Sequence, residues 1–188
     1  MAERTRKRKQ PQAVRARLLK AAGDVVAERG LAGMTLDGVA RRAGVSKGGL
    51  THHFPNRRAL VEAMVDDLLT GFEHAMASHL AVDPDPRGRF TRAYILTMAA
   101  PALLPRDNRI RGAFALAMSQ DETLARRWRD WLHARIANYG EDAASAQGRV
   151  IRYAVDGLWL EACSGTCLNA PEERETVVAH LVALTYRL

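Results

Sequence analysis

The sequence predicts an all-α protein with about nine helices. Apolar residues recur at the three- and four-residue spacing of amphipathic helices along most of the chain, and no run alternates with a period of two for long enough to form a strand. Glycines, prolines and capping residues divide this pattern into segments of helical length. An apolar fraction of 47% and a charged fraction of 26% are typical of globular proteins and predict a packed core.

The first four helices are marked by their ends. The first has an apolar face and should end at Gly30, and its face is formed by Val14, Leu18, Ala22, Val25 and Val26. Thr35 is a predicted N-cap of a short second helix that stops at Gly44. Ser46 caps a third helix reaching about His53, and Asn56 caps a long fourth one. The fourth helix carries Leu60, Met64, Leu68, Phe72 and Met76.

Prolines and further caps predict the remaining helices. A fifth helix should begin at Pro86, after the predicted cap Asp85, and Pro101 and Pro105 should close it. Asp121 caps the seventh helix. The sixth helix holds Ile110, Phe114 and Met118, and the seventh holds Leu124, Trp128, Trp131, Leu132 and Ile136. We expect an eighth helix over roughly 144–167 and a ninth from Pro171 to the end of the sequence.

Positive charge is concentrated near the N-terminus. Residues 1–58 contain 14 of the 28 lysines and arginines but four of the 21 acidic residues, so this part carries +10 and the remainder −3 of the net +7. A basic end on a slightly acidic body is typical of a protein that binds a polyanion through one surface. The alternative interpretation is a charge excess that serves only solubility.

Residues 35–60 have the spacing of a helix-turn-helix. Ala40 is small enough for two helices to cross closely, and Gly44 can adopt the positive φ that a tight interhelical turn requires. The angle between the helices would be sealed by Val39, Ala43, Val45 and Leu50. The second of these helices, Ser46 to His53, would then enter the major groove of DNA.

Two features of this segment oppose helix formation. Gly48 and Gly49 lie inside the short recognition helix, although glycine costs up to about 1 kcal/mol there relative to alanine. Small residues would, however, bring the backbone close to DNA. Arg57 and Arg58 place cations in the first turn of the fourth helix, against its dipole, which favours a phosphate at that position. The alternative for residues 46–53 is a loop.

The run TLDGVARRAGVSKGGLTHHFPNRRAL resembles the DNA-binding domain of the tetracycline-repressor-like (TetR/AcrR) family over about 50 residues. The resemblance implies that Thr35 and Lys47 contact phosphate or groove edges and that Ser46, Gly48 and Gly49 line the start of the recognition helix. It also implies phosphate contacts for His52 and Arg57. Thr51 and His53 depart from the tyrosines usual in the family. Thr51 has a shorter reach, and His53 either contacts DNA or packs beneath the helix.

A basic arm precedes the first helix pattern. Arg6 and Arg8 belong to it and would reach the minor groove or the phosphate backbone when DNA is present. A flexible solubilising tail is the alternative. We therefore expect a DNA-binding domain over 1–55 with this arm and a ligand-sensing and dimerisation domain over 56–188.

The resemblance implies a ligand cavity in the helical body and a dimer interface on the last two helices. Methionine and aromatic residues suit an adaptable apolar pocket, although they also suit an ordinary core. The candidate ligand-binding residues are Met64, Leu68, Tyr94, Met98, Phe114, Met118, Trp128, Trp131, Tyr153 and Trp159. The last helix is apolar around much of its circumference, which predicts a dimer interface at Val178, Leu181, Val182 and Thr185.

Polar residues in the apolar eighth helix leave two interpretations open. Asp156 and Glu161 would either meet a cationic ligand or lie at the surface. Cys163 and Cys167 share a helix face, but no histidine has metal-site spacing, so we expect two buried apolar residues and no metal.

These observations predict a sequence-specific regulator that binds double-stranded DNA as a homodimer at a pseudo-palindromic operator. A small-molecule effector would lower its affinity for the operator, so that repression is relieved. The alternative is a nonspecific nucleoid or architectural protein. No phosphate loop, metalloprotease motif or nucleophile elbow predicts an enzyme, and no cofactor is expected. No membrane-length apolar run or secretory signal occurs, and we expect a cytoplasmic protein.

Overall fold

The computed structural model describes residues 2–100, 105–139, 141–164 and 170–188. All regular elements in these ranges are helices, in the order α1 (Ala2–Arg29), α2 (Leu36–Ala43), α3 (Lys47–His53), α4 (Arg57–Val82), α5 (Arg89–Ala99), α6 (Pro105–Gln120), α7 (Glu122–Asn138), α8 (Glu141–Ala144), α9 (Ala146–Ser164) and α10 (Pro171–Thr185). The all-α prediction is confirmed. The described ranges contain one helix more than the nine predicted. The additional helix is α8, a single turn that the sequence pattern did not indicate.

The N-terminal core joins α1, α2, α3 and the first half of α4. Leu18, Val39, Leu50 and Leu60 are each almost completely buried in it. Ile110, Phe114 and Leu124 extend the same core into α6 and α7. The beginning of α4 therefore packs with α1, α2 and α3, while α6 and α7 connect this core to the body.

The second core lies in the body, between α5, α9 and α10. Tyr94, Ile95 and Val155 are completely buried there, and Met76 contributes from the far end of α4. Because α4 supplies residues to both cores, it extends from the N-terminal helices to the C-terminal body.

Two predicted helix ends are wrong. The fifth helix begins at Arg89 and not at Pro86, because Gly88 adopts a left-handed conformation with φ of 62° just before it. A Cβ atom on Gly88 would lie 2.3 Å from the backbone oxygen of Thr185, so this turn is fixed by close packing against the end of α10. Pro105 begins α6 and does not close α5, in agreement with the preference of proline for the first helical turn.

The last predicted helix ends at Thr185 and not at the end of the sequence, and α1 begins at Ala2, so it includes the residues expected to form a separate basic arm. The eighth predicted helix corresponds to α9, and its predicted end at 167 lies outside the described residues. No described helix is both long enough and apolar enough to cross a membrane.

Candidate nucleic-acid interface and ligand cavity

The turn between α2 and α3 has the geometry that the sequence predicts. Gly44 has φ of 62°, and its N–H and that of Val45 donate to carbonyls of the last turn of α2. Val39, Ala40 and Leu50 are buried at the contact between the two helices. A positive φ is costly for residues with a Cβ atom, so glycine at this position allows α3 to leave α2 after three residues.

Thr35 and Ser46 form the N-caps of the two helices. The hydroxyl oxygen of Thr35 accepts a hydrogen bond from the N–H of Gly38 at 3.1 Å, and that of Ser46 accepts one from the N–H of Gly49 at 3.1 Å. Each oxygen acts as an acceptor in its cap, so each hydroxyl hydrogen remains available to a phosphate oxygen. Capping thus positions both side chains at the end of their helices where anions bind.

The exposed face of α3 carries Lys47, Gly48, Thr51 and His52. The ammonium group of Lys47 lies 3.1 Å from a carboxylate oxygen of Asp37 on α2, so a DNA phosphate would compete with this exposed ion pair. The hydroxyl of Thr51 donates to the backbone oxygen of Lys47 at 2.5 Å. Thr51 must release that bond before it can donate to DNA.

The two glycines of α3 have different surroundings. A Cβ atom on Gly48 would meet no atom within 4 Å, so the surface there is open. A Cβ atom on Gly49 would lie 2.9 Å from Cγ1 of Val45 and 3.2 Å from Oγ of Ser46. Packing therefore explains why position 49 is a glycine, which the sequence did not reveal. No contact within the protein explains the glycine at position 48.

His53 and Arg57, two further candidate DNA contacts, both interact with other parts of the protein. His53 is half-buried, with its ring centroid 6.4 Å from that of the buried Phe54, so it lies partly beneath the helix. The guanidinium of Arg57 donates to the backbone oxygens of Leu31 at 2.6 Å and Met34 at 3.1 Å, which ties the start of α4 to the connection before α2. Arg6 and Arg8 lie within α1, for which the structure describes only the backbone at these positions.

A cavity of about 620 Å³ lies in the body, between α4, α5, α6, α7 and α9. This volume is in the range of small-molecule sites, and most of the lining is apolar. The candidate ligand-binding residues that the structure brings together in its wall are Leu68, Met98, Phe114, Met118, Trp128 and Trp159.

Four candidate ligand-binding residues lie elsewhere. Tyr94 and Trp131 pack behind the wall, where Trp131 stacks on Trp128 with ring centroids 5.5 Å apart. Met64 is buried and lines a separate groove between α1, α4 and α6. Tyr153 is 70% exposed on the outer face of α9, so its prediction as a cavity residue is wrong.

The cavity wall also contains residues that the sequence did not single out as cavity-lining, among them Phe72, Asp67 and Arg111. Phe72 lies one helical turn after Leu68 on α4, so its spacing was the available signal.

Asp156, a carboxylate in an otherwise apolar helix, also lines the cavity and accepts a hydrogen bond from the hydroxyl of Tyr94 at 2.5 Å. Burial raises the pKa of Asp156, while this hydrogen bond and the charge of Arg152 act in the opposite direction.

The predicted interface on α10 needs correction. Leu181 and Thr185 are buried within their own protomer, and Val178 and Val182 pack against the body core. The apolar circumference of α10 is explained by its contacts with α5 and α9 of the same chain. The apolar residues that remain exposed in this region are Val150, Tyr153 and Leu160 on α9 and Val177 on α10.

Cys163 is partly buried and not in a disulfide, and burial raises the pKa of its thiol. Cys167 lies outside the described residues. In the described part of the chain, no three histidine, cysteine or acidic side chains come together as a metal site would require.

Comparison with known proteins gives matches along most of the chain. The sequence profile described as "Bacterial regulatory proteins, tetR family" matches residues 18–64, and that described as "Tetracyclin repressor-like, C-terminal domain" matches residues 88–186. The second profile alone covers more than half of the sequence. The two profiles thus match an N-terminal and a C-terminal part of the chain.

Individual relatives agree with these profiles. The transcriptional regulator TtgR of Pseudomonas putida is 37% identical over 84 residues, which are 44% of this chain and 40% of the length of TtgR. The chain thus spans about two fifths of TtgR. The regulator BetI 2 of Chromohalobacter salexigens is 29% identical over 184 residues, with 92% of this chain and 86% of that protein covered.

Solved structures share the whole fold. A transcriptional regulator from Rhodococcus sp. Rha1 is 26% identical, with a TM-score of 0.73 and coverage of 92% of this chain and 96% of that one. The multidrug binding protein EbrR, complexed with malachite green, has a TM-score of 0.68 at 23% identity, with 91% and 97% covered. The chain belongs to the tetracycline-repressor family of bacterial transcriptional regulators, proteins that bind specific DNA sites through an N-terminal helix-turn-helix.

Proposed function

We propose that this protein is a homodimeric repressor that binds a pseudo-palindromic operator and leaves it when a small molecule occupies the body cavity. One observation carries this proposal. Helix α4 begins beside the helix-turn-helix, where Arg57 holds the backbone of Leu31 and Met34, and it lines the cavity further along, at Leu68 and Phe72. A ligand that changes the position of α4 therefore acts on both ends of the molecule.

The DNA end of the proposal rests on the exposed face of α3. Lys47, Gly48, Thr51 and His52 form a surface about two helical turns long, which matches the part of a recognition helix that reaches base edges in the major groove. Thr35 and Ser46 flank this face at helix N-termini, where phosphate binds. In this proposal Arg57 contributes a phosphate contact only through the guanidinium N–H groups not used in its backbone bonds.

The dimer is supported by the exposed apolar strip of α9, formed by Val150, Tyr153 and Leu160. These residues are each more than half exposed in the single chain, and Val177 of α10 is exposed as well. Gly157 lies between Tyr153 and Leu160, and no atom lies within 4 Å of where its Cβ would be, so a partner helix can approach closely. A second copy of the chain would bury this strip and place two α3 helices on one DNA duplex.

The release step is supported by the apolar cavity and by relatives. EbrR, a neighbour in fold, was crystallised with malachite green, and it is named for multidrug binding. We propose that the cavity of this chain likewise holds an effector. The protein would act in the cytoplasm, where bacterial DNA lies.

The test is a selection of bound genomic fragments with purified protein at two salt concentrations. We expect a short palindromic sequence whose binding persists at the higher salt, about 10³-fold or more above random DNA. Recovery of random fragments that are lost at higher salt would contradict the proposal, because binding through phosphates alone is steeply salt-dependent. A protein that binds a single half-site as a monomer would contradict the dimer.

A further inference from the structure

We propose that the effector is a bulky aromatic monocation, with Asp156 as its counter-charge and the tryptophans of α7 and α9 as its contact surface. This inference rests on the proposed function, since it names the class of molecule that the cavity binds. It differs from a general apolar pocket because it assigns a sign of charge to the ligand and one residue that selects it.

Asp156 lies in the wall of the cavity, where the charge of Arg152 acts on it but no direct ion pair to it is formed among the described residues. Among the residues that the structure describes, the hydroxyl of Tyr94 donates a hydrogen bond to its carboxylate, and no lysine or arginine nitrogen forms a salt bridge with it. Arg152, one helical turn earlier on α9, acts on this carboxylate through its charge, but its guanidinium donates to the backbone oxygen of Ala143 on α8. A carboxylate in an apolar wall is costly unless charges or further donors compensate it, and a bound cation would add the direct ion pair that Arg152 does not form.

The other charged residues of the wall lie at a different place. Asp67 and Arg111 line the cavity and also the groove between α1, α4 and α6, so they lie where these two spaces meet. They carry opposite charges. The formal charge of the whole lining is therefore −1, and Asp156 is the carboxylate on the α9 side that accounts for it.

The aromatic side chains around the cavity favour a delocalised cation. Phe72, Trp128 and Trp159 line it, and Trp131 supports Phe72 and Trp128 with centroid distances of 5.3 and 5.5 Å. Aromatic faces attract cations, and this attraction is strongest for tryptophan and for sites removed from water. A rigid aromatic cation would fill an apolar volume of about 620 Å³ and place its charge toward Asp156.

Two probe ions of the same shape and opposite charge test the inference: tetraphenylphosphonium and tetraphenylborate. The chain contains three tryptophans, Trp128, Trp131 and Trp159, and all three lie in or directly behind the cavity wall. Intrinsic tryptophan fluorescence therefore reports on this cavity and not on the basic DNA-binding surface. We expect quenching by the phosphonium with a dissociation constant at least about tenfold lower than that of the borate.

Asp156→Asn supplies the decisive variant, because it keeps the shape and the acceptor for Tyr94 but removes the charge. We expect it to weaken phosphonium binding by about tenfold or more and to leave borate binding unchanged or stronger. Asp130→Asn, which removes an exposed carboxylate of α7 outside the cavity lining, is the control and should change phosphonium binding by less than about threefold. Circular dichroism verifies that both variants are folded.

Equal binding of the two ions, preference for the borate, no quenching by either ion, or a phosphonium affinity that Asp156→Asn leaves unchanged would each overturn the inference. Operator binding, measured on the same preparations without ligand, is independent of these outcomes. Phosphonium binding without any effect on the operator would contradict the proposed release and leave the cation site standing. Specific operator binding with no preference for the cation would contradict the cation site and leave the proposed DNA-binding function standing.

Discussion

Gly48 and Gly49 show how two identical neighbouring residues can serve different purposes. The Cα of Gly48 faces open space on the exposed side of α3, while Gly49 touches Val45 and the cap of its own helix. Helix propensity alone would favour alanine at both positions. Packing disfavours a larger residue at Gly49, whereas no contact within the folded chain explains glycine at Gly48.

Alanine substitutions separate the two purposes. We expect Gly48→Ala to stabilise the protein by up to about 1 kcal/mol, through helix propensity, and to weaken operator binding by about tenfold, because its methyl group lies on the DNA-facing surface. Gly49→Ala should destabilise it, since overpacking typically costs about 1 to 3 kcal/mol. Chemical denaturation and operator titration check both changes. Similar effects of the two substitutions on stability would contradict this assignment.

Arg92 is a charged residue that the body buries almost completely. Its guanidinium lies 2.7 Å from a carboxylate oxygen of Asp83, donates to the backbone oxygen of Asp85 and to the hydroxyl of Thr185, and stacks over the ring of Tyr186. The hydrogen bond from Arg92 is the main reason why the pKa of Asp83 lies below its usual value, and burial opposes it.

This pair predicts a pH dependence of stability. Because the pKa of Asp83 is lower in the folded than in the unfolded protein, ionised Asp83 stabilises the fold above its unfolded pKa of about 3.9, and this contribution is lost as the pH falls toward the folded pKa. We expect Asp83→Asn to lower the free energy of unfolding by about 1.5 to 3 kcal/mol at pH 7 and by much less below pH of about 4.

Thermal or urea unfolding across pH 3 to 7 measures this difference, with the exposed Asp130→Asn as the control. A difference between wild type and Asp83→Asn that stays constant over this range would show that the charge of Asp83 does not contribute.

At the level of helices, α4 and α7 are joined by a row of polar contacts. Arg127 on α7 lies 2.6 Å from Asp66 and 3.2 Å from Glu62, both on α4. Arg58 on α4 donates to the hydroxyl of Thr123 at 2.7 Å. Arg135 pairs with Glu73 one level further along α4. Trp128, the residue after Arg127, lines the cavity, so α7 connects the cavity wall to the half of α4 that packs with the DNA-binding domain.

We therefore expect Arg127→Ala to uncouple the two functions. Effector binding should change by less than about threefold, whereas the effector-induced loss of operator affinity, typically about 5- to 150-fold in coupled systems, should fall to less than about threefold. Arg126→Ala is the matched control, because Arg126 pairs at 3.8 Å only with the exposed Glu122 of its own helix among the described residues. Operator titration with and without tetraphenylphosphonium gives the comparison. Full coupling in Arg127→Ala would rule out this route.

Local chemistry explains which helix boundaries the sequence predicted. Thr35, Ser46, Asn56 and Asp121 were identified as N-caps because a capping side chain acts within three residues, and each accepts the expected backbone hydrogen bond. The start of α5 was not predictable in this way. Gly88 adopts its conformation against Thr185, which is distant in sequence, so no local pattern contained that information.

The candidate sites divide along the same line. Residues of the helix-turn-helix were identified from a contiguous motif. The cavity is formed by five helices. The spacing of apolar residues predicts an apolar face on each helix, but it does not predict which neighbouring helix that face contacts. Tyr153 was therefore predicted to line the cavity but is exposed. Leu181 was predicted to lie at a dimer interface but is buried within its own chain.

For the whole molecule, the proposed dimer depends on the exposed strip on α9. Placing a charge there should prevent a second copy from docking. We expect Val150→Glu to convert the dimer to a monomer at micromolar concentration and to weaken operator binding by more than about tenfold, since one subunit then holds one half-site. Val82→Glu, at the exposed end of α4, is the same substitution outside the strip and should preserve the dimer. Light scattering after size-exclusion chromatography measures the mass. A dimer that survives Val150→Glu would place the interface elsewhere.

The contacts of Arg92 also bear on how the protein is made. Helices α1 to α3 and the first half of α4 share a core with few later residues, so this region can begin to fold early in synthesis. The body is different, because Arg92 acquires Thr185 and Tyr186 only when those residues have left the ribosome. Until then Arg92 on α5 lacks its contacts with Thr185 and Tyr186, and the core of the body is incomplete. Newly made chains should therefore carry a folded DNA-binding head before they have a working sensor, and chaperones that recognise exposed apolar surface should bind the body and not the head.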